Sequence, residues 1–198
     1  VSKLQNTLPL MLLVAMTGCA PEQPTAATAP PDSAPNVVPA AAAVRPGKDA
    51  KNATYMIDGE PVTLIDGVEE KTIVPGSASK QVTRLTEHAF EMDLNDDGQK
   101  DQVFLLTQDS GGSGTFYYAA AALKTPQGYQ GTNAVFIGDR ITVQYFKADP
   151  EQSSQFWISY GDRQVGEPTA DDPMNMASKE FRWDGASLVE VAAAAATK

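Results

Sequence analysis

The chain has one cysteine and one histidine in 198 residues, and each scarcity excludes a class of chemistry. One cysteine cannot form an intramolecular disulfide, so no covalent staple holds the fold. One histidine, His88, excludes multi-histidine metal centres and leaves a Ser-His-Asp triad a single candidate base. Basic residues are also few: 15 Lys and Arg stand against 25 Asp and Glu, a net charge of −10. Phosphate binding needs clustered Lys and Arg, so no nucleic-acid partner is expected. Long helix-forming runs are scarce, and no apolar run reaches the ~20 residues that cross a bilayer of about 30 Å. Glycine and proline are frequent instead.

What is present begins with an address. Residues 1–18 place Lys3 ahead of a short apolar run, 8–16, broken only by Pro9. That pattern fits a secretory signal rather than a transmembrane helix. Val1 fits a translated alternative start codon, which would make the chain a precursor. Met16-Thr17-Gly18-Cys19 resembles the lipobox of bacterial lipoproteins, although Met16 stands where Leu is usual. The resemblance implies cleavage behind Gly18 and acylation of Cys19, and so a lipid bilayer as partner. The three acyl chains that the resemblance implies exceed the two signals that stable anchoring needs. Ala20 follows where an Asp would resemble an inner-membrane retention signal, so an outer-membrane anchor with the domain facing the periplasm is expected.

Residues 19–51 form a different material. Seven prolines (Pro21, Pro24, Pro30, Pro31, Pro35, Pro39, Pro46) and many alanines leave hardly a large apolar side chain. Such a stretch cannot bury enough surface to offset its ordering entropy. A disordered tether is expected, with a fully stretched reach of about 3 Å per residue. The folded domain is expected over 52–191, with 192–198 as a disordered tail.

Within 52–191 the punctuation is that of strands. ATYMI, Asp58-Gly59 and EPVTLI predict a two-residue hairpin, since Asp-Gly readily takes the positive φ that tight turn needs. VTRLTEHAFEMDL predicts one long strand. QVFLLTQ and TFYYAAAAL predict a hairpin around DSGGSG, with a helix as the competing reading of the alanine run from Tyr118 to Leu123. AVFIG, ITVQYF and QFWISY follow, and Asp184-Gly185 between EFRW and SLVEV predicts another hairpin. The expected fold is mainly β: an antiparallel sandwich, sheet or partly open barrel of about eight short strands.

The chemistry on offer centres on DLNDDGQKD, residues 93–101. Asp93, Asn95, Asp97, the Gln99 carbonyl and Asp101 fall at alternating positions, and Gly98 permits a sharp turn. Calcium takes about six to eight oxygens at roughly 2.3–2.6 Å, so a curled loop of this kind predicts a structural calcium site. The competing reading is a polar turn, because Asp, Asn and Gly are also the preferred turn residues. An EF-hand is excluded, because Phe104 stands where the bidentate glutamate belongs and the flanks read as strands. The pattern D-x-N-x-D-G-x-x-D resembles the calcium loops of dockerin-like and FG-GAP repeats, and in the latter the loop joins two strands. Lipobox, tether and this motif together resemble a group of proteobacterial envelope lipoproteins, which implies a location and no activity.

Catalytic motifs are weak. Gly111-Gly112-Ser113-Gly114 fails as a nucleophile elbow because Thr115 stands where glycine belongs, and it lacks a phosphate-loop lysine. Phe116-Tyr117-Tyr118, Phe156-Trp157 and Trp183 can stack on a ligand, but strand alternation sends about half of such residues into a core. The first expectation is therefore a membrane-anchored envelope lipoprotein with a non-catalytic binding or structural β-domain and no catalytic residue, binding an envelope protein or a glycan. The alternative is a hydrolase acting on envelope glycan through Asp and Glu carboxylates.

Overall fold

The computed structural model describes residues 46–73, 75–76, 79–162 and 175–191. The expected signal segment, Cys19, most of the expected tether and the expected tail lie outside the described residues. No helix among the described residues is long and apolar enough to cross a membrane.

The first hairpin joins β1 (Thr54–Ile57) to β2 (Glu60–Thr63), with Ile57 opposite Glu60. Asp58 and Gly59 have φ of 50° and 83°, the two positive values that a tight turn matched to strand twist requires. Tyr55, Ile57 and Val62 face inward and their neighbours outward, as the period of a strand dictates.

A six-stranded antiparallel sheet forms the middle of the domain. It runs β3 (Val68–Thr72), β4 (Lys80–Met92), β5 (Asp101–Asp109), β6 (Phe116–Thr125) and β7 (Gly128–Gly131), while β8 (Val135–Asp139) pairs the other half of β6. The alanine run is therefore a strand, not a helix. The reason lies in its partner: Val103, Phe104 and Leu105 of β5 stand opposite Ala121, Ala120 and Ala119. Both strands are buried on both faces, so large side chains on one require small ones on the other.

One face of this sheet carries the β1–β2 hairpin over Phe104, Leu106, Tyr118 and the even-numbered alanines. The other face packs a four-stranded sheet of β9 (Thr142–Ala148), β10 (Gln155–Asp162), β11 (Asn175–Trp183) and β12 (Leu188–Val191). Phe156, Ile158, Phe181 and Leu188 meet Val103, Leu105, Ala119 and Ala121 there. Phe156 and Phe181 stack at 5.2 Å. The expected antiparallel sandwich is thus present, with open edges rather than a closed barrel and twelve described strands instead of about eight.

Asn133 ties the layers together. Its side chain accepts the Leu188 N–H at 2.7 Å and donates to the Leu188 carbonyl at 2.8 Å, while the adjoining Ala134 N–H donates to Met56. The fold also reaches upstream of residue 52. Gly47 and Tyr129 exchange two backbone hydrogen bonds at 2.7 Å, and Ala50 is 2 % exposed. The Asp184-Gly185 hairpin forms, but with four residues between Trp183 and Leu188, because the Asp184 carboxylate gathers the Ala186 and Ser187 N–H groups.

Candidate functional site

The acidic loop lies between β4 and β5. Asp96 and Gly98 take φ of 57° and 83°, which curls the chain around the side chains of the motif. Asp93 accepts the Asp97 N–H at 3.0 Å through Oδ1 and the Gly98 N–H at 2.8 Å through Oδ2. Asn95 Oδ1 accepts the same Asp97 N–H at 3.2 Å, so Asp93 and Asn95 converge on one point. Asp97 Oδ1 accepts the Gln99 N–H at 2.8 Å, while its Oδ2 takes the Asn95 and Gln99 side-chain amides. Gln99 reaches the cluster only as a donor, which leaves its carbonyl oxygens as its means of ligating a cation.

Asp101 is used differently. It is fully buried, with Oδ2 accepting the Leu94 N–H at 2.9 Å and Oδ1 the Lys124 N–H at 2.7 Å. Burial pushes its pKa up, and those two N–H groups oppose the shift. The structure therefore brings Asp93, Asn95 and Asp97 together and makes Asp101 a strut between the loop and β6. A carboxylate oxygen has two lone pairs, so an oxygen accepting one N–H retains a site for a cation. Asp96 adds a tie to the other sheet by accepting the Ser153 hydroxyl at 3.0 Å. Among the described residues no three His, Cys, Asp or Glu side chains are grouped to hold a metal by themselves, so Asn95 and carbonyl oxygens would have to complete a set.

His88 lies in a bulge of β4, where the register jumps from Leu85 opposite Leu106 to Ala89 opposite Phe104. Its N–H donates to Thr86 Oγ1 at 3.2 Å. No hydrogen bond joins its ring to a serine or carboxylate among the described residues.

The aromatic residues divide as strand alternation demands, and one face of the four-stranded sheet gains from it. Phe156 and Tyr118 are buried, and Trp183 packs against the core, whereas Trp157 points to the outer face. Trp157 stands opposite Lys147 on β9 and Glu180 on β11, and Glu180 stands opposite Val191 on β12. A second row sets Ser159 between Tyr145 and Ser178. The Lys147 ammonium lies 4.8 Å from the Trp157 ring centre, and the Tyr145 ring 6.3 Å away. Trp157, Ser159, Ser178 and Glu180 line a concavity of about 480 Å³, with Asp149 and Glu190 at its margin.

Tyr145 and Lys147 escape a reading of the sequence alone. Strict alternation through β9 would put Val143, Tyr145 and Lys147 on one face. The register slips by one residue at Gln144, so Val143, Phe146 and Ala148 turn to the core and Tyr145 and Lys147 turn outward. Glu180 was legible only once β11 had a partner.

The carboxylates at this concavity are mostly engaged. Asp149 Oδ1 accepts the Glu151 and Gln152 N–H groups at 2.7 and 3.2 Å. Glu190 pairs with Lys179 at 2.9 Å, and Lys179 also donates to the Phe136 carbonyl. Glu180 alone makes no side-chain hydrogen bond or ion pair with a described residue. No protein-family model, curated protein or solved structure matches the chain.

Proposed function

We propose that this chain is a lipid-anchored protein of the bacterial envelope whose β-domain binds a partner and performs no catalysis. Cys19, acylated after cleavage behind Gly18, inserts in the outer membrane, and the proline-rich segment holds the domain off the bilayer on the periplasmic side. The observation that carries the binding half is the outer face of the four-stranded sheet, where an aromatic concavity has, among the described residues, no two free, opposed carboxylates. A glycan hydrolase needs such a pair. Here Asp149 is tied to its own turn and Glu190 to Lys179, which leaves Glu180 by itself.

Calcium belongs to the same proposal as a structural ion. Asp93, Asn95 and Asp97 would hold it with a carbonyl of Gln99, and buried Asp101 would brace the loop from behind. Its role would be to neutralise the neighbouring carboxylates of Asp93 and Asp97, which no ion pair among the described residues offsets. Two such charges held close together without a cation repel one another.

Fractionation of cells carrying the full chain tests the anchor. The wild-type protein is expected to sediment with membranes and to leave them only in detergent, and Cys19→Ser is expected to appear in the soluble periplasmic fraction. A Cys19→Ser protein that still requires detergent would contradict it.

A further inference from the structure

We propose that the outer face of the four-stranded sheet is a saccharide-binding platform, with Trp157 and Tyr145 as the surfaces on which sugar rings stack. This deepens the binding reading above and rests on it.

Three features select the ligand class. The first is shape. Ser159 and Ser178, directly opposite each other, line the concavity with Trp157 and Glu180, and Tyr145 stands opposite Ser159 on the neighbouring strand. The row from Lys147 through Trp157 and Glu180 to Val191 crosses three inter-strand gaps of about 4.8 Å each. That is on the order of 14 Å, a trough suited to a chain of rings rather than one small molecule.

The second feature is chemistry. A pyranose presents an apolar C–H face and a rim of hydroxyls that both donate and accept. The aromatic rings suit the first, because they offer flat apolar area at little cost in side-chain entropy. The Glu180 carboxylate, the Lys147 ammonium and the two serine hydroxyls suit the second, as acceptor, donor and either. Tyr145 is 63 % exposed, so its ring is available without rearrangement of the fold.

The third feature is charge and backbone. Asp149, Glu180 and Glu190 outnumber Lys147 and Lys179, which disfavours phosphorylated or otherwise polyanionic ligands. An extended peptide would add to a sheet edge through backbone hydrogen bonds. The groups here stand on a sheet face, where the ladders already occupy the backbone. The ligand class is therefore an uncharged or weakly cationic glycan.

The test uses the purified full chain with chitohexaose, cellohexaose and maltohexaose, followed by titration calorimetry and tryptophan fluorescence. At least one is expected to bind with a dissociation constant between about 10 μM and 1 mM, and to change the tryptophan emission. Trp157→Ala and Tyr145→Ala are each expected to weaken binding by about tenfold or more at an unchanged melting temperature. Tyr145→Ala serves as the safeguard should Trp157→Ala fail to fold. Absence of heat with all three sugars at about 10 mM would overturn the inference, as would binding indifferent to both variants. So would a co-purified envelope protein whose capture is lost in Trp157→Ala; that outcome would leave the anchored binding protein standing and remove the sugar.

Discussion

The buried carboxylate of Asp101 accepts the backbone N–H of Lys124 at 2.7 Å, and through this bond the acidic loop is fixed to the end of β6. Its second oxygen holds Leu94, so one side chain satisfies two donors that would otherwise be left without partners inside the fold. The loop is thus part of the frame of the domain as well as a candidate ion site.

Asp101→Ala removes both acceptors, and each orphaned donor costs about 1–3 kcal/mol. Urea unfolding at pH 7 should show the larger loss in Asp101→Ala and a smaller one in Asp101→Asn, whose single amide oxygen can serve one donor. The pH dependence has a definite sign. The folded carboxyl holds its proton more readily than the unfolded one, so its contribution to stability falls as pH rises from the ordinary Asp value to the raised one. Asp101→Asn should lack that slope; an equal slope in both proteins would place the titration elsewhere.

Calcium should raise the melting temperature of the full chain, by an amount equivalent to about 2.7 kcal/mol when calcium is at a hundred times its dissociation constant. Asp97→Ala should abolish the shift, since Asp97 lies between Asn95 and Gln99 in the cluster. Magnesium, which demands a tighter octahedral shell, should have less effect. A melt that excess calcium leaves unchanged would reduce the loop to a polar turn.

How far the sequence disclosed this arrangement depends on whether a residue's environment is local. The Asp58-Gly59 turn was legible because two residues alone decide its φ angles. The β5–β6 hairpin was legible from its glycine-rich loop and β-branched flanks. The alanines of β6 were read as a strand with a helix in competition, and what decides for the strand is the bulk of Val103, Phe104 and Leu105 across the ladder. β3 carries Glu69, Glu70 and Lys71 and no apolar alternation; it is an edge strand, made visible only by its pairing with β4. The acidic loop could be read in full as a set of ligand types, but the diversion of Asp101 to Lys124 involves a partner 23 residues away. The Trp157 face was hidden by the slip at Gln144.

Gly131 illustrates the same dependence at one atom. A Cβ there would collide first with the Thr54 backbone carbonyl oxygen and would also stand 2.7 Å from the Tyr55 ring, which is held by its hydroxyl bond to the Ala50 carbonyl at 2.6 Å. Overpacking of this kind costs about 1–3 kcal/mol in a filled core. Gly131→Ala should lower the urea midpoint without altering the slope of the transition, whereas an unchanged midpoint would mean that the hairpin layer yields freely.

At alkaline pH the tyrosines should limit stability. Burial, with the Asp58 carboxylate that accepts its hydroxyl at 3.0 Å, pushes the Tyr118 pKa up to about 12, and burial pushes Tyr55 higher still. The unfolded chain ionises near the ordinary tyrosine value while the folded one does not, so stability falls as pH rises from 10.0 towards 12. Tyr118→Phe should be less stable at neutral pH, through loss of the Asp58 bond, and should show a shallower decline across that window. A decline of equal steepness in Tyr118→Phe would assign it to other groups.

The proposed anchored location is tested most directly by the mass of the N-terminal peptide from protein extracted out of membranes. The expected result is a peptide that begins at Cys19 and carries acyl chains. An unmodified Cys19 inside a peptide that continues upstream would contradict it.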